Sequence, residues 1–192
     1  MKKLLLHSCC GPCSSGVLED LLQEYEVTIL FYNPNIHPSE EYYKRLEAQQ
    51  QVVKKLNALG YNIQLIEAEY NPDIYFEEVK GLESCPEGGK RCERCFELRL
   101  EYTCKYAKTC NYDVFTTTMS VSPHKNYILL NEIGQKMSDK YNVEYLWANF
   151  KKNNGYLKSI NNSKKFEIYR QDYCGCVFSN WHLQNKGEEN GK

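Results

Sequence analysis

Three groups of cysteines are the residues whose type and spacing can do chemistry. Cys9-Cys10-Gly11-Pro12-Cys13 lies near the start of the chain, Cys92-Glu93-Arg94-Cys95 in the middle and Cys174-Gly175-Cys176 near the end. Thiolates are soft ligands. Two sulfurs from each of the first two groups would make a four-sulfur site suited to zinc or to an iron–sulfur cluster. On a helix, the spacing of Cys92 and Cys95 turns both sulfurs to one face, and Arg91 and Arg94 beside them would favour the charged form. Free core cysteines are the plainer alternative. Adjacent Cys9 and Cys10 argue against it, because neighbouring side chains of a strand point to opposite faces. Cys10-Gly11-Pro12-Cys13 also matches the thioredoxin tetrapeptide. That reading expects a strand and a helix before the motif and a Trp directly ahead of it, whereas here Cys9 precedes it.

A disulfide between Cys174 and Cys176 would close a small, strained and easily reduced ring, which suits a redox relay. The alternative is a further pair of metal ligands. Cys85, Cys104 and Cys110 lack such patterning. Cys104 sits beside apolar positions of a predicted helix and is expected in the core, while Cys85, next to Pro86, could approach the second group.

The elements that must position these sulfurs alternate. A short buried strand is expected over residues 3–8, a tight turn over Cys9–Cys13 and a helix from Ser14 or Ser15 to about Glu24. Val27–Tyr32 is β-branched and aromatic, a second strand. The Pro-containing stretch 33–38 is a loop, after which Ser39 is expected to cap a long helix to about Leu59, ended by Gly60. Asn62–Glu67 is a third strand, residues 71–90 are irregular and a helix covers about Cys92 to Cys110. Tyr112–Thr116 is a fourth strand with a polar loop to Asn126, followed by a helix over Tyr127–Lys140 and a short strand near Glu144–Trp147. This order implies an α/β fold, a single domain with a parallel sheet flanked by helices. The first cysteine group then sits at the carboxyl edge of the sheet, where ligands bind in open α/β folds. No repeat or linker divides the chain. Residues 1–180 read as the domain and 181–192 as a polar, disordered tail.

With 42% hydrophobic and 26% charged residues the composition is that of a globular protein. No apolar run approaches the roughly 20 residues needed to span a bilayer. The leading Met-Lys-Lys-Leu-Leu-Leu runs into a cysteine motif rather than a cleavage site, so the chain is expected to be cytoplasmic, with no membrane partner. In that compartment ten cysteines read as ligands or redox groups rather than a disulfide framework. A net charge of −1 gives no global attraction for nucleic acid, so RNA binding would rest on local patches.

The motifs together resemble the QueH family of epoxyqueuosine reductases. The residues that carry the likeness are Leu6-His7-Ser8-Cys9-Cys10-Gly11-Pro12, Phe31-Tyr32-Asn33-Pro34-Asn35-Ile36-His37-Pro38 and Lys90-Arg91-Cys92-Glu93-Arg94-Cys95. Thr116-Thr117-Thr118-Met119, Ser122-Pro123-His124-Lys125-Asn126 and Tyr169-Arg170-Gln171-Asp172-Tyr173-Cys174-Gly175-Cys176 follow in order. The resemblance implies a HUP (PP-loop, Rossmann-like) architecture without an ATP requirement. It also implies reduction of the epoxide of epoxyqueuosine, at the anticodon wobble position of tRNA, to queuosine. It assigns a [4Fe-4S] cluster to Cys9, Cys10, Cys92 and Cys95 and a redox-active disulfide to Cys174 and Cys176. For a second, mononuclear metal, iron or zinc, Cys13 is the candidate ligand, since family members can carry Asp there. The implied partners are tRNA carrying epoxyqueuosine and an external electron donor. Tyr32, Tyr169 and Arg170 are then candidates to stack on or bond the base, and Lys125 and Asn126 to contact phosphate or base. The basic stretch 151–158 with Lys164 and Lys165 is either an RNA contact or a solvated surface. His7, His37 and His124 are expected to be structural.

Two other functions compete. A PP-loop tRNA sulfur-transferase would need a Gly-rich pyrophosphate loop after the first strand. Here cysteines fill that loop, and Pro12 removes one of its N–H donors. A zinc-stabilised RNA-binding module accounts for four cysteines and the basic stretch, but not for Cys174-Gly175-Cys176.

Overall fold

The computed structural model describes residues 1–152 and 154–179; the expected polar tail, 181–192, lies outside them. β1 (Lys2–His7) is followed by two short helices, α1 (Gly11–Ser15) and α2 (Leu18–Leu21), and by β2 (Tyr25–Phe31). Then come α3 (Ser39–Ala58), β3 (Gln64–Glu67), α4 (Pro72–Glu78), α5 (Lys90–Thr109) and β4 (Val114–Thr117). A 3₁₀ turn at Thr118–Val121, α6 (Tyr127–Tyr141), β5 (Glu144–Tyr145) and α7 (Gly155–Phe166) complete the order. The strands form one parallel sheet in the order β3-β2-β1-β4-β5, as the alternation implies.

The apolar run of β1 is continuous because both faces of the sheet are covered. Leu5, Leu30 and Phe115 face one side, against Phe96, Leu100, Leu130 and Met137. Leu4, Leu6, Val27, Ile29 and Val114 face the other, against Val17, Val52, Leu56 and Phe166. Burying each such side chain stabilises the fold by roughly 1.5–3 kcal/mol. From β1 the chain steps outward to β2 and β3, then returns to lay β4 on the opposite side of β1. The carboxyl ends of β1 and β4 therefore flank the point where the strand order reverses, which is where a crevice opens in folds of this kind.

Several boundaries differ from expectation. The helix after β1 begins at Gly11, not Ser14, so Cys13 is helical. Pro12 is accepted because the first turn of a helix has no internal use for its N–H. Gly11 permits the close approach to α3, since a Cβ there would lie 2.6 Å from the Ala48 carbonyl oxygen. Ser39 is the first residue of α3 rather than its cap, and its hydroxyl bonds the Glu40 carboxylate at 3.3 Å. The stretch expected to be irregular contains α4, begun by Pro72 and capped by Asn71 Oδ1, which accepts from the Asp73 N–H at 3.1 Å. Among the described residues, no helix is long and apolar enough to cross a membrane.

Candidate active site

Where β1 ends, the chain turns into α1, and the turn carries the first cysteines. His7 closes the strand, buried, with Nδ1 2.9 Å from Thr117 Oγ1 and Nε2 3.0 Å from the Tyr32 carbonyl oxygen. Burial above all, then Arg99, pulls its pKa down to about 3, so it is a neutral tie between three strand ends. Ser8 Oγ donates to Gln49 Oε1 at 2.6 Å. Asn33 donates to the Ser8 carbonyl at 2.9 Å and accepts from Arg99 Nη2 at 2.7 Å.

The sulfurs of Cys9, Cys10 and Cys13 lie within 4.8 Å of one another, with Cys9 and Cys10 3.8 Å apart. Adjacent residues can converge because the strand has already ended and Cys10 is the extended residue before α1. Hydrogen bonds from Cys10 and Cys13 hold the Cys9 thiol well below its usual value. Burial pushes Cys10 up to about 12, and Cys13 rises through its bonds to the other two. Three thiols sharing one favoured thiolate make a donor set for a soft cation. Gln171 Nε2 donates to Cys10 Sγ at 2.8 Å.

The second cysteine group occupies the first turns of α5. The Gly88 N–H donates to Cys92 Sγ at 3.2 Å, and Cys92 packs against the core that contains Cys9 and Cys10. Cys95 packs with Tyr75, Val79 and Cys176. Burial raises both thiols, so the expected effect of Arg91 and Arg94 does not dominate. Arg94 is paired with Glu97 at 2.8 Å and also with Glu78. Arg91 lowers Cys92 only weakly, and its Nη1 donates to the carbonyls of Glu83 and Cys85. The cation beside Cys95 is Arg99, one turn on, with Nη1 3.9 Å from the sulfur. Cys104 is core as expected, bonding the Met137 carbonyl at 3.4 Å. Cys85 supplies a carbonyl to Arg91, and its thiol is not among the grouped sulfurs.

The third group is held by its backbone. Arg45, buried and paired with Glu41 at 2.6 Å, donates to the carbonyls of Tyr173 at 3.0 Å and Cys174 at 3.2 Å. Gly175 has φ +95°, and a Cβ there would lie 2.9 Å from Ile36 Cγ1, so only glycine fits this turn. Its carbonyl accepts the His37 N–H at 2.9 Å, and Tyr173 Oη donates to the His37 carbonyl at 3.1 Å. Both thiols are free. Cys176 is drawn down to about 6, first by a hydrogen bond from Cys174 and then by the Tyr75 hydroxyl, while the same pairing raises Cys174.

Two adjoining cavities join these groups. An inner one of about 40 Å³ is lined by Cys92, Cys95, Cys174, Cys176, Tyr75 and Arg99. An outer cleft of about 560 Å³ is lined by Cys9, Cys13, Cys174, Tyr156, Arg170 and Asp172. Lys125 lines both. Burial draws its ammonium down, but Cys9, Cys13 and Cys174 outweigh burial and leave it raised. Asn35 Oδ1 and Arg99 Nε at the inner cavity, and Gln171 Oε1 at the outer, are buried polar atoms without a partner among the described residues. Orphans of this kind, beside the grouped sulfurs of Cys9, Cys10 and Cys13, fit a site built for a bound polar group.

The other expected contact residues divide. Arg170 lies over the Tyr156 ring at 5.4 Å and lines the outer cleft. Tyr169 is 38% exposed and donates to Glu41 at 2.8 Å. Asn126 lines the inner cavity and caps α6, its Oδ1 accepting from the N–H groups of Ile128 and Leu129. Tyr32 is buried and stacked on Tyr102 at 3.7 Å, so its ring is packing beneath the site and has no face free for a base. Sequence reasoning missed Tyr75, Arg99, Gln171 and the Glu41–Arg45 pair. Gln171 stood inside a quoted motif. The other four are ordinary helix residues with no local signal.

A family profile described as epoxyqueuosine reductase QueH matches residues 4–182. Curated relatives bear the same name. The one from Staphylococcus epidermidis is 48% identical over 180 residues, covering 92% of this chain and 76% of its own length. The one from Streptococcus pyogenes serotype M1 is 44% identical over 92% of this chain and 69% of its own length. The one from Thermotoga maritima is 37% identical over 98% of this chain and 96% of its own length.

Proposed function

The chain belongs to the QueH family, and from that premise we propose that it is an epoxyqueuosine reductase, converting epoxyqueuosine in the tRNA anticodon to queuosine. The observation that carries this reading beyond the name is the convergence of Cys9, Cys10 and Cys13 at the sheet's switch point, beside a cavity lined by Cys92, Cys95, Cys174 and Cys176. Residues 1–180 act as one HUP-type catalytic domain, working in the cytoplasm.

Cys9, Cys10, Cys92 and Cys95 would hold a [4Fe-4S] cluster. Cys13 would ligate a second metal, iron or zinc. The donor set is all sulfur, and the orphaned Gln171 and Asn35 oxygens fit a polar occupant. When bound, these groups supply single electrons and a Lewis acid. Opening the epoxide to an alkene consumes two electrons and two protons and releases water. Lys125 carries an ammonium at the junction of the two cavities, where the departing oxygen needs positive charge and a proton. Arg99 adds a second buried cation against the sulfurs. The Cys174–Cys176 pair passes electrons inward from an external donor. Arg170 over Tyr156, with Tyr169 at the rim and the exposed Lys152, Lys164 and Lys165 beyond, offers stacking and phosphate contacts to an extruded wobble base.

The test is anaerobic reconstitution with iron and sulfide, incubation with epoxyqueuosine-containing tRNA and a reductant, and mass analysis of the nucleosides. The expected result is loss of one oxygen atom that depends on iron and is abolished by Cys92→Ser. An unchanged nucleoside with iron loaded and tRNA bound would reject the function. Zinc alone, in a colourless protein, would favour a non-catalytic RNA-binding module.

A further inference from the structure

We propose that the Cys174–Cys176 disulfide is reduced in one direction only: an incoming thiolate attacks Cys174, and Cys176 leaves as a thiolate received by the Tyr75 hydroxyl. This rests on the reading of the two cysteines as a redox pair and adds which sulfur is attacked and what receives the charge.

Thiol–disulfide exchange requires access to the attacked sulfur and stabilisation of the leaving one. The two sulfurs differ in both respects. Cys174 is half-buried and lines the outer cleft as well as the inner cavity, so a reductant entering from solvent reaches it. Cys176 is 5% exposed, lines the inner cavity alone and is packed with Tyr75, Val79 and Cys95. The Tyr75 oxygen lies 3.0 Å from Cys176 Sγ, and Tyr75 is itself buried. A buried phenol hydroxyl needs a partner, and among the described residues the sulfur is the one it has. Among the described residues, Cys174 has no such phenol donor. Its sulfur accepts the Cys176 N–H at 3.4 Å and lies 3.5 Å from the Ser179 hydroxyl, both long contacts.

The step balances with a dithiol reductant, either a small molecule or a protein. One of its thiolates forms a bond to Cys174 Sγ. The bond between the two protein sulfurs breaks, and its electron pair passes to Cys176 Sγ, which accepts the Tyr75 O–H. The second thiolate of the reductant then attacks the reductant's own bonded sulfur and expels Cys174. The reductant ends as a disulfide, and the pair has gained two electrons and the two protons of the dithiol. Tyr75 is a positioning residue in this scheme, acting on the leaving sulfur without touching the reductant.

The experiment uses the iron-loaded protein, anaerobically, with glutathione disulfide as the probe and peptide mass mapping as the readout. In Cys176→Ser, Cys174 should form the mixed disulfide. In Cys174→Ser, Cys176 should do so at least tenfold more slowly. Cys176→Ala and Cys174→Ala repeat the comparison in case a serine variant folds poorly. In the otherwise native protein, Tyr75→Phe keeps the ring and removes the donor. It should slow reduction of the disulfide by dithiothreitol roughly tenfold, as loss of a charge-assisted hydrogen bond does, with bound iron unchanged. Equal or faster capture at Cys176, or an unchanged reduction rate in Tyr75→Phe, would overturn the direction while leaving the pair redox-active. Failure of the oxidised native protein to yield a peptide joined through Cys174 and Cys176 would overturn the redox pair itself and the proposal with it.

Discussion

At the amino ends of the strands, Lys2 meets Glu144 at 2.5 Å and the Lys3 N–H donates to Asp113 at 2.7 Å, both at the exposed surface. At the carboxyl ends of the same sheet, His7, Ser8, Asn33, Arg45 and Arg99 are all buried and joined by hydrogen bonds. The first arrangement is screened by water and contributes little. The second carries the desolvation cost of several polar groups, offset only if each finds its partner. An apolar carboxyl edge would be more economical. The polar one holds the Cys9–Cys13 turn, the start of α5 and the Cys174–Cys176 loop to one another. The difference teaches that this end of the molecule gives up stability for placement.

The largest expected effect is at Arg45. Arg45→Met leaves the Glu41 carboxylate buried without its cation and should destabilise the fold by about 3–5 kcal/mol in urea unfolding. Adding Glu41→Met should restore most of that stability, because an apolar pair of similar volume is close to neutral. The loop would still lack its anchors at the Tyr173 and Cys174 carbonyls, so turnover should stay low. A double variant that regains both would reduce the pair to a structural role. Asn33→Ala comes next. It strips a partner from the Ser8 carbonyl and from Arg99, a loss of about 1–3 kcal/mol for an unpaired buried group, read in the urea midpoint. Lys2→Ala should be the smallest, with the thermal midpoint moved by about 1 °C or less. If Asn33→Ala proved as mild as Lys2→Ala, the contrast between the two ends would fail.

Much of the architecture was legible because it rests on local rules. The continuous Leu4–Leu6 run announces a strand covered on both faces, and Asn126, ahead of Tyr127, proved to be the cap of α6. The helix start at Gly11 was missed because the close approach to Ala48 that makes glycine necessary there is a contact across 37 positions of sequence. α4 was missed although Asn71-Pro72-Asp73 is a capped helix start, because the Gly and Pro residues further along outweighed it. At the site, spacing singled out Cys9, Cys10 and Cys13, whose sulfurs the fold groups within 4.8 Å. Tyr32 was misjudged because nothing in its own segment announces Tyr102, which covers its ring from α5.

The sequence alone therefore singled out the cysteine groups, the alternating elements and the strand whose end the first thiols occupy, since spacing, propensity and hydrophobic period act over a few residues. Only the tertiary structure decided which charges serve those thiols. Arg99 rather than Arg94 stands by Cys95, Arg45 grips a loop 129 positions away, and Tyr75 meets Cys176 across 101. The physical reason is that a buried charge or hydroxyl must be matched by whatever the fold brings within about 3 Å. Chain closure sets that neighbour, and no local pattern encodes it.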